Sequence, residues 1–403
     1  MTVSTLLPEL VYEDLDDPKE AHRRIAAARE HGPIAMGSHG PEVLSYDLVR
    51  TVLRDGRFAV PQGFGLPAQG ITSGPLWDRA AGSMLCLQGA QHHRLRKLVA
   101  KAFTPKSADR MQNTCVSVIN ELMDAHTDTG SCDIVADICR PYPIPIICEL
   151  LGAPREDWQR FDAWAEDVLR LFSWNVADNA AEILRAWTEL DDYVDGMVAD
   201  RQHNLTDDLL SELIRAESDG DRLSHDDLLM LAGGLLMAGT DTTRNQLAAD
   251  VEALCEHPDQ WELLAARPEL ARSAVEELTR FNPIVFAALR VAVEDVELAG
   301  YPIAAGTLVV ANTAAANRDP AVYPDPDRLD ITREGAAPML TFGGGIHYCL
   351  GVHLAKLELA EALAAITRRI SAPHRTESTG WKPLVGITGP IRLPIEFSAA
   401  PAA

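Results

Sequence analysis

The chain has 403 residues, 47% of them hydrophobic, and its 59 acidic against 36 basic side chains give a net charge of −23. Such a length and apolar content describe a folded protein with a sizeable core and exclude a disordered chain. The charge excludes a general affinity for nucleic acid or for an anionic membrane.

Hydrophobic periodicity predicts helices over 44–54, 92–103, 108–127, 142–152, 155–172, 179–201, 207–217, 225–256, 258–264, 268–281 and 351–370. Strand-like runs are few and short, at about 34–36, 289–293, 296–298, 307–311 and 391–397. The stretches 58–84 and 313–342 are rich in Gly and Pro, the second with NRDP and YPDPD turn signals, and read as irregular. The expectation is a mainly α protein, one large domain over 1–403 with a minor β-sheet region mostly at 30–60, 289–312 and 380–397. No apolar run reaches the roughly 18 residues of a membrane span, and the start, MTVSTLLPELVYEDLDDPKE, lacks a signal-peptide pattern. A cytoplasmic monomer is expected.

Seven cysteines stand at 86, 115, 132, 139, 148, 255 and 349. The number is odd and no pair has C-x-x-C spacing, so neither a disulfide framework nor a zinc site is suggested. Most lie near apolar residues and read as small core groups. Cys349 differs, because it sits in TFGGGIHYCLGVHLAK, amid four glycines and directly before a predicted helix. A nucleophilic cysteine would need a base and an orienting group, and the nearness of His347 in sequence supplies no such geometry. A single axial thiolate on haem iron is the better account. Gly343, Gly344, Gly345 and Gly351 would let the loop pass close to a flat macrocycle. The following helix would aim its free N–H groups at the sulfur, and Phe342 would exclude water. The alternative is a glycine-rich turn around an incidental buried cysteine.

The run Phe342-x-x-Gly345-x-His347-x-Cys349-x-Gly351 resembles the haem-binding signature of the cytochrome P-450 superfamily, especially its soluble bacterial members. The resemblance extends from about residue 40 to residue 397. It implies a non-covalent haem b with Cys349 as the metal ligand. The buried helix pattern LLMLAGGLLMAGTDTTRNQLAADVEALC carries Ala238 and Gly239, small enough for close approach to a ring. It also carries Thr242, whose hydroxyl can bond the carbonyl four residues back. This stretch resembles the family's oxygen-activation motif, which implies that Thr242 holds a proton-donating water and that Asp241 relays protons. Read on its own, the alternative for the pair is a cap or a packing kink.

Haem propionates call for cations and hydrogen-bond donors. The resemblance assigns them to His92 and Arg96, which share a helix face, to Arg290 and to His347. Glu277-Leu-Thr-Arg280 resembles the family's E-x-x-R motif, and Arg328 in PDPDRLD looks like the third member of that structural network. Leu329 stands where many members have phenylalanine, and Gln88-Gly89-Ala90-Gln91 replaces a common Asp-Pro-Pro-Glu. By resemblance the substrate pocket is lined by Phe64, Leu66, Leu76, Phe172, Trp174, Leu236, Val285, Phe286 and Ile387.

The resulting expectation is a monooxygenase that activates dioxygen at a Cys-ligated iron. It would hydroxylate or epoxidise an apolar terpenoid, steroid, fatty or aromatic compound. No nicotinamide or flavin fingerprint is present, since Gly343-x-Gly345 is followed by Tyr348 where a third glycine is required. Electrons would therefore come from a ferredoxin-type donor with its reductase, docking in part on Arg94, Lys97 and Lys101. The alternatives are a haem-thiolate peroxygenase or isomerase, whose members tend to lose the acid–threonine pair, and a non-enzymatic haem sensor.

Overall fold

The computed structural model describes residues 7–173, 175–218 and 223–399. The chain folds into two compact units. One comprises residues 1–61, 273–349 and 379–391, and the other 62–272, 350–378 and 392–403. As expected, helices predominate and strands are short.

The first unit is built around a five-stranded sheet. Its strand order is Ile34–Gly37, Gly40–Val43, Leu308–Asn312, Ala287–Ala292, Phe58–Ala59. Gly40–Val43 runs parallel to Leu308–Asn312 and the remaining pairs are antiparallel. Gly40 turns the first hairpin at φ +137°, and a Cβ there would come within 2.4 Å of the Leu308 carbonyl oxygen, so only glycine fits. The amphipathic helix Tyr46–Arg54 lays Tyr46, Val49, Val52 and Leu53 on the core of this unit. A further helix, Pro18–His31, opens with an Asp17 cap and a proline at its first turn. Sequence periodicity misses it because its buried stripe is Ala21, His22, Ile25 and Ala28, with one large aliphatic residue only.

The second unit is helical. Its longest element is His225–Glu256, as predicted over 225–256. Ser224 and Asp227 form a reciprocal capping box at its start, and Pro258 follows its end. Most of its length is buried, which matches its apolar character on nearly every side. The helix Val352–Arg369 packs near it, and Tyr142 donates its hydroxyl to the Glu358 carbonyl at 2.8 Å. The C-terminal strand Pro394–Ala399 pairs with Ser131–Asp133 and Ile370–Arg375, so this part of the expected β-rich 380–397 belongs to the helical unit. Within the supposedly irregular stretches, Pro75–Gly82 and Thr313–Asn317 are helical. Among the described residues no helix is long and apolar enough to cross a membrane.

Candidate active site

In the first unit the Cys349 loop is closed by its own backbone. Cys349 N–H donates to the Phe342 carbonyl at 2.9 Å, Gly343 N–H to Leu340 and Tyr348 N–H to Gly345. Gly343 and Gly345 take φ of +74° and +66°, the left-handed conformation this tight return requires. A Cβ on Gly345 would meet the Leu53 carbonyl oxygen at 2.7 Å, so this glycine also lets the loop lie on the end of the Tyr46–Arg54 helix. Around Gly351, by contrast, a Cβ would find open space. Helix Val352–Arg369 starts next, with no side-chain N-cap.

Glu277 and Arg280 are both buried, and Arg280 donates to both carboxylate oxygens, at 2.7 and 2.9 Å. The predicted third member is corrected. Arg333, not Arg328, completes the network, with its Nε 3.1 Å from each oxygen of Glu277. The Arg328 side chain is 68% exposed and lies 3.6 Å from Asp330. Its contribution is its carbonyl, which accepts from both Arg280 and Arg333. The chain doubles back through PDPDRLDITREG, and the arginine that ends inside is five positions later than the one the motif suggested. Asn317, which sequence reading passed over as part of a turn, carries the network to the cysteine loop. Its carbonyl accepts from Arg280 at 2.9 Å, its side-chain amide donates to Thr341 at 2.7 Å, and its side-chain oxygen accepts from the Leu340 N–H at 2.7 Å.

Arg290 is buried on the strand Ala287–Ala292. It donates to the Leu289 carbonyl at 2.8 Å and, among the described residues, has no carboxylate partner. Burial alone brings its guanidinium down to about 10. A buried guanidinium without an anion is an incomplete arrangement in a protein interior, and a haem propionate fits it. In the same unit Phe286 is buried. Its ring packs on His22 and Tyr12, at centroid distances of 5.2 and 6.0 Å. Val285 and Ile387 are half-buried, and the turn holding Ile387 is tied to this segment by Thr388 N–H on the Ile284 carbonyl.

In the second unit Asp241 and Thr242 lie midway along the His225–Glu256 helix. Thr242 donates its hydroxyl to the Ala238 carbonyl at 2.9 Å, the local bond expected of it, and Thr240 does the same to Leu236. Asp241 is buried and ion-paired with Arg244, one turn along the same helix. Arg244 also reaches Asp162 at 2.6 Å, and Asp162 is held in turn by Arg140 at 2.7 Å. Arg244 and Asp162 gave no signal in the sequence, since their pairing joins residues 82 positions apart. Gly239 also makes room within the unit. A Cβ there would lie 2.9 Å from Ile147, so the missing side chain admits the neighbouring helix Pro143–Leu151.

His92 is buried on the helix Gly89–Val99, and Arg96 lies one turn on. Burial first, and the positive charge of Arg96 second, lower the His92 pKa below its ordinary value. Of the expected pocket residues, Leu66 and Leu76 join Ala80, Leu171, Val176 and Ile183 in one packed cluster, with Phe64 against it. The Phe64 and Phe172 rings meet edge to face at 5.0 Å, Leu236 is buried in the long helix, and Trp174 lies outside the described residues. Of the proposed basic patch, Lys97 and Lys101 are exposed, whereas Arg94 is engaged with Asp227 at 2.8 Å.

Each unit holds residues that suit a haem: in the first, a cysteine in a closed loop and a buried arginine with no anion among the described residues; in the second, a buried acid beside a threonine on an apolar helix. Comparison with known proteins agrees. The family model described as Cytochrome P450 matches residues 28–266 and 256–379. The chain is 37% identical over 398 residues to the luteothin monooxygenase of Streptomyces thioluteus, with 97% of each chain covered. It is 38% identical to the mycinamicin IV hydroxylase/epoxidase of Micromonospora griseorubida, with 88% of each covered. The crystal structure of CalO2 superposes with a TM-score of 0.88 at 31% identity, covering 95% of this chain and 96% of that one. With the signature loop, the buried helix and these relatives in agreement, the chain belongs to the cytochrome P450 family and is a haem-dependent monooxygenase.

Proposed function

We propose that the enzyme uses dioxygen to hydroxylate or epoxidise an apolar terpenoid, steroid, fatty or aromatic compound, with electrons from a ferredoxin-type protein and its reductase. The observation that carries this reading is the acid–threonine pair in the buried middle of the long helix. A peroxygenase or isomerase has no need to manage incoming protons there, and a sensor has no use for the pair. The two curated relatives named above, a monooxygenase and a hydroxylase/epoxidase, support insertion of one oxygen atom.

When bound, haem supplies the iron at which dioxygen is reduced and cleaved. Cys349 would supply the thiolate that holds its iron. Arg290 and Arg96 would neutralise its propionates, and His92 and His347 would donate ring N–H groups to them. The depressed pKa of His92 suits a neutral imidazole in that role. Thr242 has already placed its hydroxyl proton on the Ala238 carbonyl, so its oxygen is free to accept a hydrogen bond from a water and hold that water's other proton forward. Arg244, itself anchored by Asp162, fixes the orientation of the Asp241 carboxylate, which would take a proton from solvent and pass it to that water. The apolar cluster around Leu66 and Leu76 supports an apolar substrate. Exposed Lys97 and Lys101, on a chain of net charge −23, support docking of an acidic electron donor.

Turnover should require both reductant and dioxygen. Thr242→Ala should continue to consume reductant while releasing most of it as hydrogen peroxide. Equal product per electron in Thr242→Ala and wild type would refute the role of Thr242.

A further inference from the structure

The helices Trp158–Leu169 and Ala180–Gln202 of the second unit flank an open recess of about 580 Å³. Two aromatic rings, those of Trp164 and Tyr193, stand among its charged lining residues. Trp164 and Tyr193 meet at a centroid distance of 5.6 Å, and Phe161 backs them at 5.4 and 5.1 Å. The polar edges of both rings are already engaged. Trp164 Nε1 donates to Glu189 at 2.8 Å, and the Tyr193 hydroxyl donates to Asp157 at 2.7 Å. What remains to a ligand is the pair of π faces.

A guanidinium lies on those faces. Arg160 Cζ stands 5.0 Å from the Trp164 centroid and 4.8 Å from that of Tyr193. Its other attachment is slight. Its one ion pair among the described residues, to Asp157, is 3.9 Å long, and the side chain is 55% exposed. The remaining charges lining the recess are Asp167, Glu189 and Asp192 against Arg185. Arg185 is itself shared by Asp167 at 3.1 Å and Glu189 at 3.9 Å.

We propose that this recess is a binding site for a small organic cation, an alkylammonium or guanidinium compound, which takes the place now held by the Arg160 guanidinium. A cation over two ring faces is drawn by their quadrupoles, and a methylated ammonium is suited to such an aromatic corner. An anion meets three carboxylates. A neutral hydrogen-bonding molecule finds the ring edges already taken.

The test is calorimetric titration of the haem-loaded protein with tetramethylammonium chloride at constant ionic strength. Arg160→Gln, which removes the internal guest, should bind the probe about tenfold more tightly than wild type. Glu189→Gln or Tyr193→Leu added to Arg160→Gln should abolish that gain, and neutral tert-butanol should not bind. Equal affinity in wild type and Arg160→Gln, or a gain that survives Tyr193→Leu, overturns the proposal. Should Tyr193→Leu not fold, the Trp164 indole N–H resonance of Arg160→Gln decides: it must shift with tetramethylammonium, and a fixed resonance overturns the proposal as well.

Discussion

Replacing Arg333 by methionine should destabilise the protein far more than replacing Arg328 by alanine. Arg333 is 13% exposed and bonds both oxygens of the buried Glu277, together with the carbonyls of Pro324, Asp325 and Arg328. Removing one member of a buried ionic network costs about 3–5 kcal/mol. Arg280 remains bidentate on the same carboxylate, so the lower end, about 3 kcal/mol, applies. Unfolding entropy of about 2.1 cal/mol/K per residue over 403 residues converts this to a fall of about 3–4 °C in Tm. The exposed Arg328–Asp330 pair is worth at most about 0.5 kcal/mol, hence under about 1 °C. Thermal unfolding of the two haem-loaded variants, followed by circular dichroism, measures the contrast. Arg328→Ala melting as low as Arg333→Met, or both melting with wild type, would refute the assignment.

Cys349→Ala should lose the red-shifted Soret band that reduced, carbon monoxide-saturated protein shows with thiolate ligation, and a variant that keeps the band is incompatible with Cys349 as the ligand. Charge reversal at Lys97 and Lys101 should slow the first electron transfer from a ferredoxin and flatten its salt dependence while haem content stays constant; an unchanged salt slope removes these lysines from the docking site. Glu358 is buried, and that burial, opposed by a hydrogen bond from Thr243, pushes its pKa up to about 8. The folded state therefore holds a proton that the unfolded chain gives up near pH 4.5, so this stability is complete below that pH and lost as pH rises through about 8. Glu358→Gln should remove the loss, so that the variant gains on wild type by on the order of 4 kcal/mol between pH 5 and 9. Parallel urea-unfolding curves for the two proteins at both pH values would rule this out.

What sequence reading captured was local. Periodicity outlined the long helix because it is apolar on nearly every side over His225–Glu256, a signal too long to mistake for a strand. The cysteine loop was legible because its requirements, positive φ at Gly343 and Gly345 and a helix start at Val352, fall within ten residues. The Pro18–His31 helix escaped because alanine and histidine make up most of its buried stripe. The strand Ile370–Arg375 escaped because ISAPHR contains a proline and only one β-branched residue.

The site contacts that the sequence did not reveal share one cause: their partners are remote. A Cβ on Gly239 would meet Ile147, on another helix. The Phe286 ring packs on His22 and Tyr12, from the far end of the chain. Arg328 and Arg333 both lie in one polar stretch, and only its path around Glu277 decides which side chain is buried and which supplies a carbonyl. Asp241 is the sharpest case. The acid was visible because a carboxylate in an apolar helix demands a reason. The ion pair that orients it runs through Arg244 to Asp162 and Arg140, residues that a motif centred on the acid does not include. A motif thus locates the reactive group, whereas the groups that aim it are found by following each buried charge to its partner.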